Sequence, residues 1–288
     1  VGCLENAAIR LEYLAEAGPR IFSLQVRGSE ENLLGEVPAA RFDTPSGVFT
    51  LYGGHRLWHS PEAFPRTYVP DDAPPEIETI AEGVRLIQPV EAATGIQKIM
   101  EIRLPGQESA VIVDHTLVNA GPWPVELAPW AITLFPLGGV AILPVQPVNV
   151  QKDALLPDRP FVLWPYTDIR DARLELNNDL ILIRGEAKAP AVKIGYLNRR
   201  GWAGYYRGGV FFRKCFDPLV SQSHPDYGCN TECYCKDLFL ELETLGPLTR
   251  LEPGGSISHS ERWDIFSGIS YPQTLEGIRE MVNALQLD

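Results

Sequence analysis

A chain of 288 residues, 45% hydrophobic and 22% charged, has the composition of an ordinary soluble globular protein and is long enough to bury a sizeable core. Its net charge of −12 argues against nucleic acid and anionic membranes as partners, since neither attracts an acidic surface over long range, whereas a neutral ligand escapes that penalty. No apolar run approaches the ~20 residues that span a bilayer, and the opening VGCLENAAIRLEYL lacks a basic region followed by a signal-type apolar core, which favours the cytoplasm; the start at Val1 without Met leaves localisation open.

Along the chain, short apolar or alternating runs bounded by turn residues predict strands over 8–14, 19–26, 47–52, 84–89, 96–104, 109–119, 125–136, 139–144, 161–165, 179–185, 192–196, 201–206 and 209–216. The 25 Pro and 25 Gly are spread out, as many turns between short strands require. Segment 60–81, rich in Pro and acid, is read as a long surface loop near the site, because strands continue on both sides of it. A last pair of strands, 238–245 and 256–266, is separated by Gly246-Pro247 and the turn LEPGG. The clearest helix is 274–285, where Ile278, Met281, Val282 and Leu285 recur at helical spacing. So many strands with so little helix predict an all-β antiparallel sandwich, and with no repeat and no linker a single domain over 1–288.

Five cysteines, Cys3, Cys215, Cys229, Cys233 and Cys235, do not form the pattern of a secreted disulfide framework. Cys233 and Cys235 on one strand face lie about 7 Å apart, too far for one ion without bending, so no metal is expected. Buried free thiols are the expected state, with a bridge from Cys229 to Cys233 or Cys235 as the alternative.

Four segments carry residues suited to chemistry. YGGHRLWHSPE (52–62) gathers two glycines, His55, Arg56 and Trp58: donors for hydroxyl edges and a flat apolar face for a pyranose, unless it is a loop with a core Trp and a bystander His. His115 lies on the predicted strand 109–119, as a catalyst or as a hydrogen-bonded structural residue. Lys193, Arg199 and Trp202 belong to the one basic and aromatic concentration of an acidic chain, suited to a carboxylate or phosphate on a sugar and equally to a solvated hairpin. His259 and Glu261 are read as surface or sheet-face residues. In LFLELETL (238–245) the two-residue period sends Leu240 and Leu242 to one face and Glu241, Glu243 and Leu245 to the other. A solvent-exposed strand gives the same alternation. Two carboxylates at i and i+2, about 6–7 Å apart, do not flank a glycosidic bond without distortion, which argues against a hydrolase.

The order strand, Leu242-Glu243-Thr244, Pro-Gly turn and long last strand resembles the C-terminal signature of the galactose mutarotase-like superfamily, the aldose 1-epimerases and related sugar-binding domains. YGGHRLWHSPE, VDHTLVNAGPWPVELAPWAIT, LWPYTDIRDAR, KIGYLNRRGWAGYY and LELETLGPLTRLEPGGSISHSERW resemble an uncharacterised bacterial branch of it, over nearly the whole chain. The resemblance implies a β-supersandwich of two large, mainly antiparallel sheets with a short C-terminal helix, a small-molecule sugar as partner, and no cofactor. It puts Glu243 on the catalytic base position. The general acid of the epimerases is a His after an Asn-containing turn; the matching stretch 127–133 holds Trp130 and no His, so His55 or His115 is expected to deliver the proton to the ring oxygen. Arg56 and Glu241 would bind hydroxyls, Trp58 or Trp130 would stack on the ring, and Lys193, Arg199 and Trp202 would complete the site. A noncatalytic sugar-binding or interaction module on the same fold is the alternative.

Overall fold

The computed structural model describes residues 1–146, 157–272 and 274–285. Two ten-stranded sheets face each other, and every neighbouring pair of strands in them is antiparallel. In the first, Gly2–Glu5, Ile9–Tyr13, Arg20–Val26, His55–Ser60, Val125–Phe135, Leu240–Leu245, Thr231–Cys235, Val192–Tyr196 and Phe161–Leu163 lie in that order, and Thr249–Leu251 pairs with the start of Val125–Phe135. The second runs Leu174–Leu176, Leu180–Arg184, Val140–Pro144, Trp202–Arg207, Val210–Phe216, Ser256–Ser267, Ala110–Asn119, Ile96–Arg103, Gly83–Ile87 and Glu76–Ile80. This is the all-β, two-sheet architecture expected from the sequence.

The alternation that predicts the strands also sorts them into layers. Leu11, Leu24 and Leu57 and the Leu240/Leu242 pair of the first sheet meet Val113, Leu117, Phe212 and Trp263 of the second in one continuous apolar cluster. Each leucine buried there contributes about 2 kcal/mol. A second cluster lies outside the second sheet, where Ile278, Met281 and Val282 of the helix Leu275–Ala284 pack on Trp202 and Phe211. Thr274 caps this helix by accepting from the Gly277 amide at 3.1 Å. A third cluster forms outside the first sheet, where the two-stranded ribbon Glu36–Thr44 and Gly47–Gly53 lays Phe49 and Leu51 over Trp58, Trp130 and Ile132. Among the described residues no helix is long and apolar enough to cross a membrane.

Two expectations are corrected here. Residues 55–60, read as part of a loop, form a fully buried strand between Arg20–Val26 and Val125–Phe135. Polar residues on both faces hid its period: His55, Leu57 and His59 point between the sheets, Arg56 and Trp58 outward. The paired glycines before it admit no ligand. A Cβ on Gly53 (φ 106°) would stand 2.1 Å from the Gly35 carbonyl oxygen, and one on Gly54 (φ 69°) equally close to that of Ile21, so these glycines let backbone pass backbone. The second correction concerns His259 and Glu261, which are buried between the sheets.

Candidate functional site

On the outer face of the first sheet, five strands bring their outward residues into one floor. Glu241 and Glu243 stand opposite Leu134 and Ile132 on one side and Tyr234 and Glu232 on the other. Lys193 and Gly195 follow next to Tyr234 and Glu232, and Arg56 and Trp58 lie beyond Ile132 and Trp130. A Cβ on Gly195 would come within 3.2 Å of Glu232 Cγ and 2.7 Å of Cys229 Sγ, so the glycine leaves room for the glutamate.

The charged groups of this floor are paired. Glu243 Oε2 accepts from Trp130 Nε1 at 2.8 Å and from Lys193 Nζ at 2.9 Å, and the same ammonium lies 2.7 Å from Glu232 Oε2. Arg56 Nη2 donates to Glu241 Oε1 at 2.9 Å, and its guanidinium sits 4.4 Å from the centre of the Trp58 ring. Lys193 Nζ covers Trp130 and Trp164 at 4.9 and 4.5 Å. Burial raises the pKa of Glu241, which Arg56 opposes and the charge of Glu243 reinforces. Burial likewise pushes Glu232 well above the ordinary carboxylate range, against the pull of Lys193 and with the charges of Glu243 and Asp226 adding to it. Burial works against the Lys193 ammonium, yet Glu232 and Glu243 outweigh it and hold its pKa well above the ordinary value. Two cations thus face three carboxylates, with burial favouring the protonated form of Glu232.

Above the floor is a hollow of about 310 Å³, walled by Phe42 and Leu51 of the ribbon, Tyr68, Trp164, Tyr166, Tyr234 and Phe239, with Arg56, Trp58, Trp130, Lys193 and Glu241 reaching it from below. An adjoining depression shares Phe42, Glu62, Tyr68 and Trp164 and adds Phe64 and Asp226. Segment 60–81 therefore does border the hollow, through Glu62 and Tyr68, but it is not all loop: it holds a short turn of helix at Arg66–Tyr68 and the strand Glu76–Ile80.

The structure thus gathers Glu243, Glu241, Arg56, Trp58, Trp130 and Lys193 in one place. It does not bring the remaining sequence-derived candidates there. Trp202 packs beneath the C-terminal helix on the far side of the second sheet, and Arg199 is exposed in a bend outside the hollow's lining. His55 and His115, expected to deliver the proton to the ring oxygen, do not share a face with Glu243, because their places in the strand period turn them to the inter-sheet side. There His55 Nε2 lies 2.7 Å from His115 Nε2, His55 Nδ1 2.8 Å from Thr133 Oγ1, and His115 Nδ1 2.8 Å from the His259 carbonyl. His259 Nε2 lies 2.8 Å from Thr244 Oγ1, which also donates to Glu261. Trp263 Nε1 donates to Glu261 at 2.8 Å, and Lys214 Nζ lies 3.0 Å from it. Burial, helped by the Lys214 charge, holds His55 well below its usual pKa; burial also lowers His115, against the pull of Glu261, and takes His259 down to about 3. His55, His115 and Glu261 offer ligand atoms within 4.8 Å of one another. Lys214 already supplies the positive charge at Glu261, and the two imidazoles bond each other, so the donor set is spoken for. All five cysteines are unbridged, and Cys229, Cys233 and Cys235 are buried.

Sequence reasoning missed Glu232, Trp164, Tyr166 and Tyr234. In TECYC (231–235) the alternation that buries the cysteines inward sends Glu232 and Tyr234 outward, a signal overlooked beside the cysteine spacing. Trp164 and Tyr166 lie in LWPYTDIRDAR, a segment of the resemblance to which no role had been given.

No protein-family model and no curated protein matches the chain. Solved structures do. A TPR-domain containing protein from Parabacteroides distasonis ATCC 8503 superposes with a TM-score of 0.62 at 14% identity over 94% of this chain and 48% of its own, so this chain spans about half of that protein. A galactose mutarotase-like protein from Lactobacillus casei ATCC 334 matches at 0.58 and 13% identity, over 92% and 99% of the two chains. A galactose mutarotase related enzyme from Lactobacillus acidophilus matches at 0.51 and 12%, over 95% and 99%. The chain has the galactose mutarotase-like fold; likeness at such identities speaks for the fold alone.

Proposed function

We propose that the hollow on the outer face binds a neutral sugar, with Glu241 and Arg56 taking hydroxyl groups and the aromatic walls receiving the apolar face of the ring. The observation that carries this reading is the Arg56–Glu241 pair at the base of an aromatic-walled hollow of pyranose scale: Arg56 keeps Nε and Nη1 without a hydrogen-bond partner, which a hydroxyl oxygen would fill. The charge balance of the floor supports a neutral ligand over a phosphorylated or acidic one, since neither cation is free of carboxylate. The mutarotase-related names of two structural relatives accord with a sugar.

Binding without turnover is the favoured form. Glu243 Oε2 already accepts two hydrogen bonds, one from an ammonium, which suits a fixed acceptor better than a base. One observation favours the second reading, slow anomer exchange: Glu232 stands directly opposite Glu243 with its pKa raised by burial, and could act as the acid that the buried histidines do not supply. Calorimetric titration with D-glucose, D-galactose and their 6-phosphates tests the first reading. Saturable binding of a neutral sugar, weakened at least tenfold by Glu241→Gln, is expected; tighter binding of the phosphates, or none of any sugar, would overturn it. Polarimetry on the sugar that binds tests the second: anomer exchange with a pH-dependent limb, lost in Glu232→Gln, is its signature.

A further inference from the structure

A second hollow, of about 350 Å³, opens where the inter-sheet space meets segment 61–70, on the opposite side of strand His55–Ser60 from the pocket just described. Val69, Ile96, Val125 and Leu127 give it a largely apolar lining, and of the polar residues beside them, Ser46, His59, Arg66, Thr94 and Glu126, two keep buried side-chain atoms without a hydrogen-bond partner, His59 and Arg66. His59 is only 1% exposed, and neither of its ring nitrogens has a hydrogen-bond partner. Its nearest charged neighbour, Glu91 Oε2, stands 3.8 Å from Nε2, beyond hydrogen-bond reach, because Glu91 is drawn to Lys98 Nζ at 2.5 Å and Thr94 Oγ1 at 2.6 Å. Arg66 Nη2 donates to the Pro61 carbonyl, while its Nε is buried and unpartnered. Buried polar groups left in this state each cost on the order of 1–3 kcal/mol, a penalty that a suitable guest removes.

We propose that this hollow is a second ligand site, taking a small, largely apolar molecule that carries one hydroxyl group. A hydroxyl accepts and donates through a single atom and adds little polar surface to an apolar molecule, so it can accept from the Arg66 Nε–H and donate to an imidazole nitrogen. Burial lowers the His59 pKa, so near neutral pH the ring is uncharged and one nitrogen offers a lone pair. A carboxylate guest would satisfy Arg66 but meet Glu91 behind His59 and Glu126 at the rim. An ammonium would meet Arg66 and Lys98. The site stands independently of the sugar reading, since its polar groups belong to the inward side of the strand and to a different part of the loop.

Calorimetry of the 288-residue chain at pH 7 with phenol, toluene and benzoate as probes tests the assignment. Saturable phenol binding is expected, at least tenfold tighter than that of toluene or benzoate, abolished by Leu127→Trp, which fills the hollow, and unchanged by Glu241→Gln. His59→Phe should erase the preference for phenol over toluene; should that variant not fold, Arg66→Met, at a half-buried position, is expected to weaken phenol severalfold. Equal affinity for toluene, tighter binding of benzoate, loss of phenol binding in Tyr166→Ala, or no saturable phenol binding would each overturn the proposal.

Discussion

The two faces of the first sheet's central strands both carry buried polar groups, and these behave in opposite ways. Between the sheets, His55, Thr133 and Thr244 of the first sheet and His115, Lys214, His259, Glu261 and Trp263 of the second bond to one another in a closed set, and none of these eight has a buried polar atom without a hydrogen bond. Facing outward, Arg56 and Glu232 keep unpartnered atoms, and a hollow stands above Arg56. Burial of ionisable groups is therefore a poor sign of a site here. Unsatisfied atoms beside empty space are the better sign, and they also mark His59.

The sharpest way to break this contrast is to remove one partner from each face. Glu261→Gln keeps the shape of the side chain but leaves the fully buried Lys214 ammonium unpaired, and is expected to cost about 3 kcal/mol of stability in urea unfolding. Pairing it with Lys214→Met should recover most of that loss. Glu241→Gln, on the outer face, leaves Arg56 beside the hollow, where water can reach it, and should cost less, about 1–2 kcal/mol, while weakening sugar binding at least tenfold. If the two single variants lose equal stability, the closed and open faces do not differ as argued.

The faces also predict opposite pH responses. His259 titrates near 6.5 when unfolded and at about 3 when folded, so the unfolded state binds the extra proton in between, and stability falls as pH drops below 6.5. The stability gap between the native chain and His259→Gln should thus narrow by about 2 kcal/mol from pH 6.5 to pH 5. Glu232 has the reverse sign: its folded pKa is raised, so its contribution is present below the unfolded value and lost as pH rises through the folded one. Glu232→Gln, which mimics the protonated form, should become more stable relative to the native chain from pH 5 to pH 8. Parallel pH responses of the two variants would contradict the assignment.

Much of this layout could be read from the chain. The strand period alone places Glu241 and Glu243 on one face, and the C-terminal order of strand, turn and strand points to the fold. What escaped was long-range and two-sided. Residues 55–60 carry polar groups on both faces, so no alternation marks them as a strand, and which face each histidine takes depends on register against Val125–Phe135, which only pairing reveals. The alternation in TECYC turns Glu232 outward, but only the pairing of Thr231–Cys235 with Leu240–Leu245 sets it beside Glu243. Trp202 shows the converse: an aromatic residue beside basic ones looks like a site until a helix from the far end of the chain covers it.

The most direct test of the central claim is a crystal structure of the chain soaked with the neutral monosaccharide that binds best in solution. The account predicts a pyranose in the outer hollow, with hydroxyl groups on Glu241 and Arg56 and its ring against Tyr166, Tyr234 or Trp164, and the inner histidine layer unchanged. A sugar bound elsewhere, or an empty hollow at a concentration that saturates binding in solution, would contradict it.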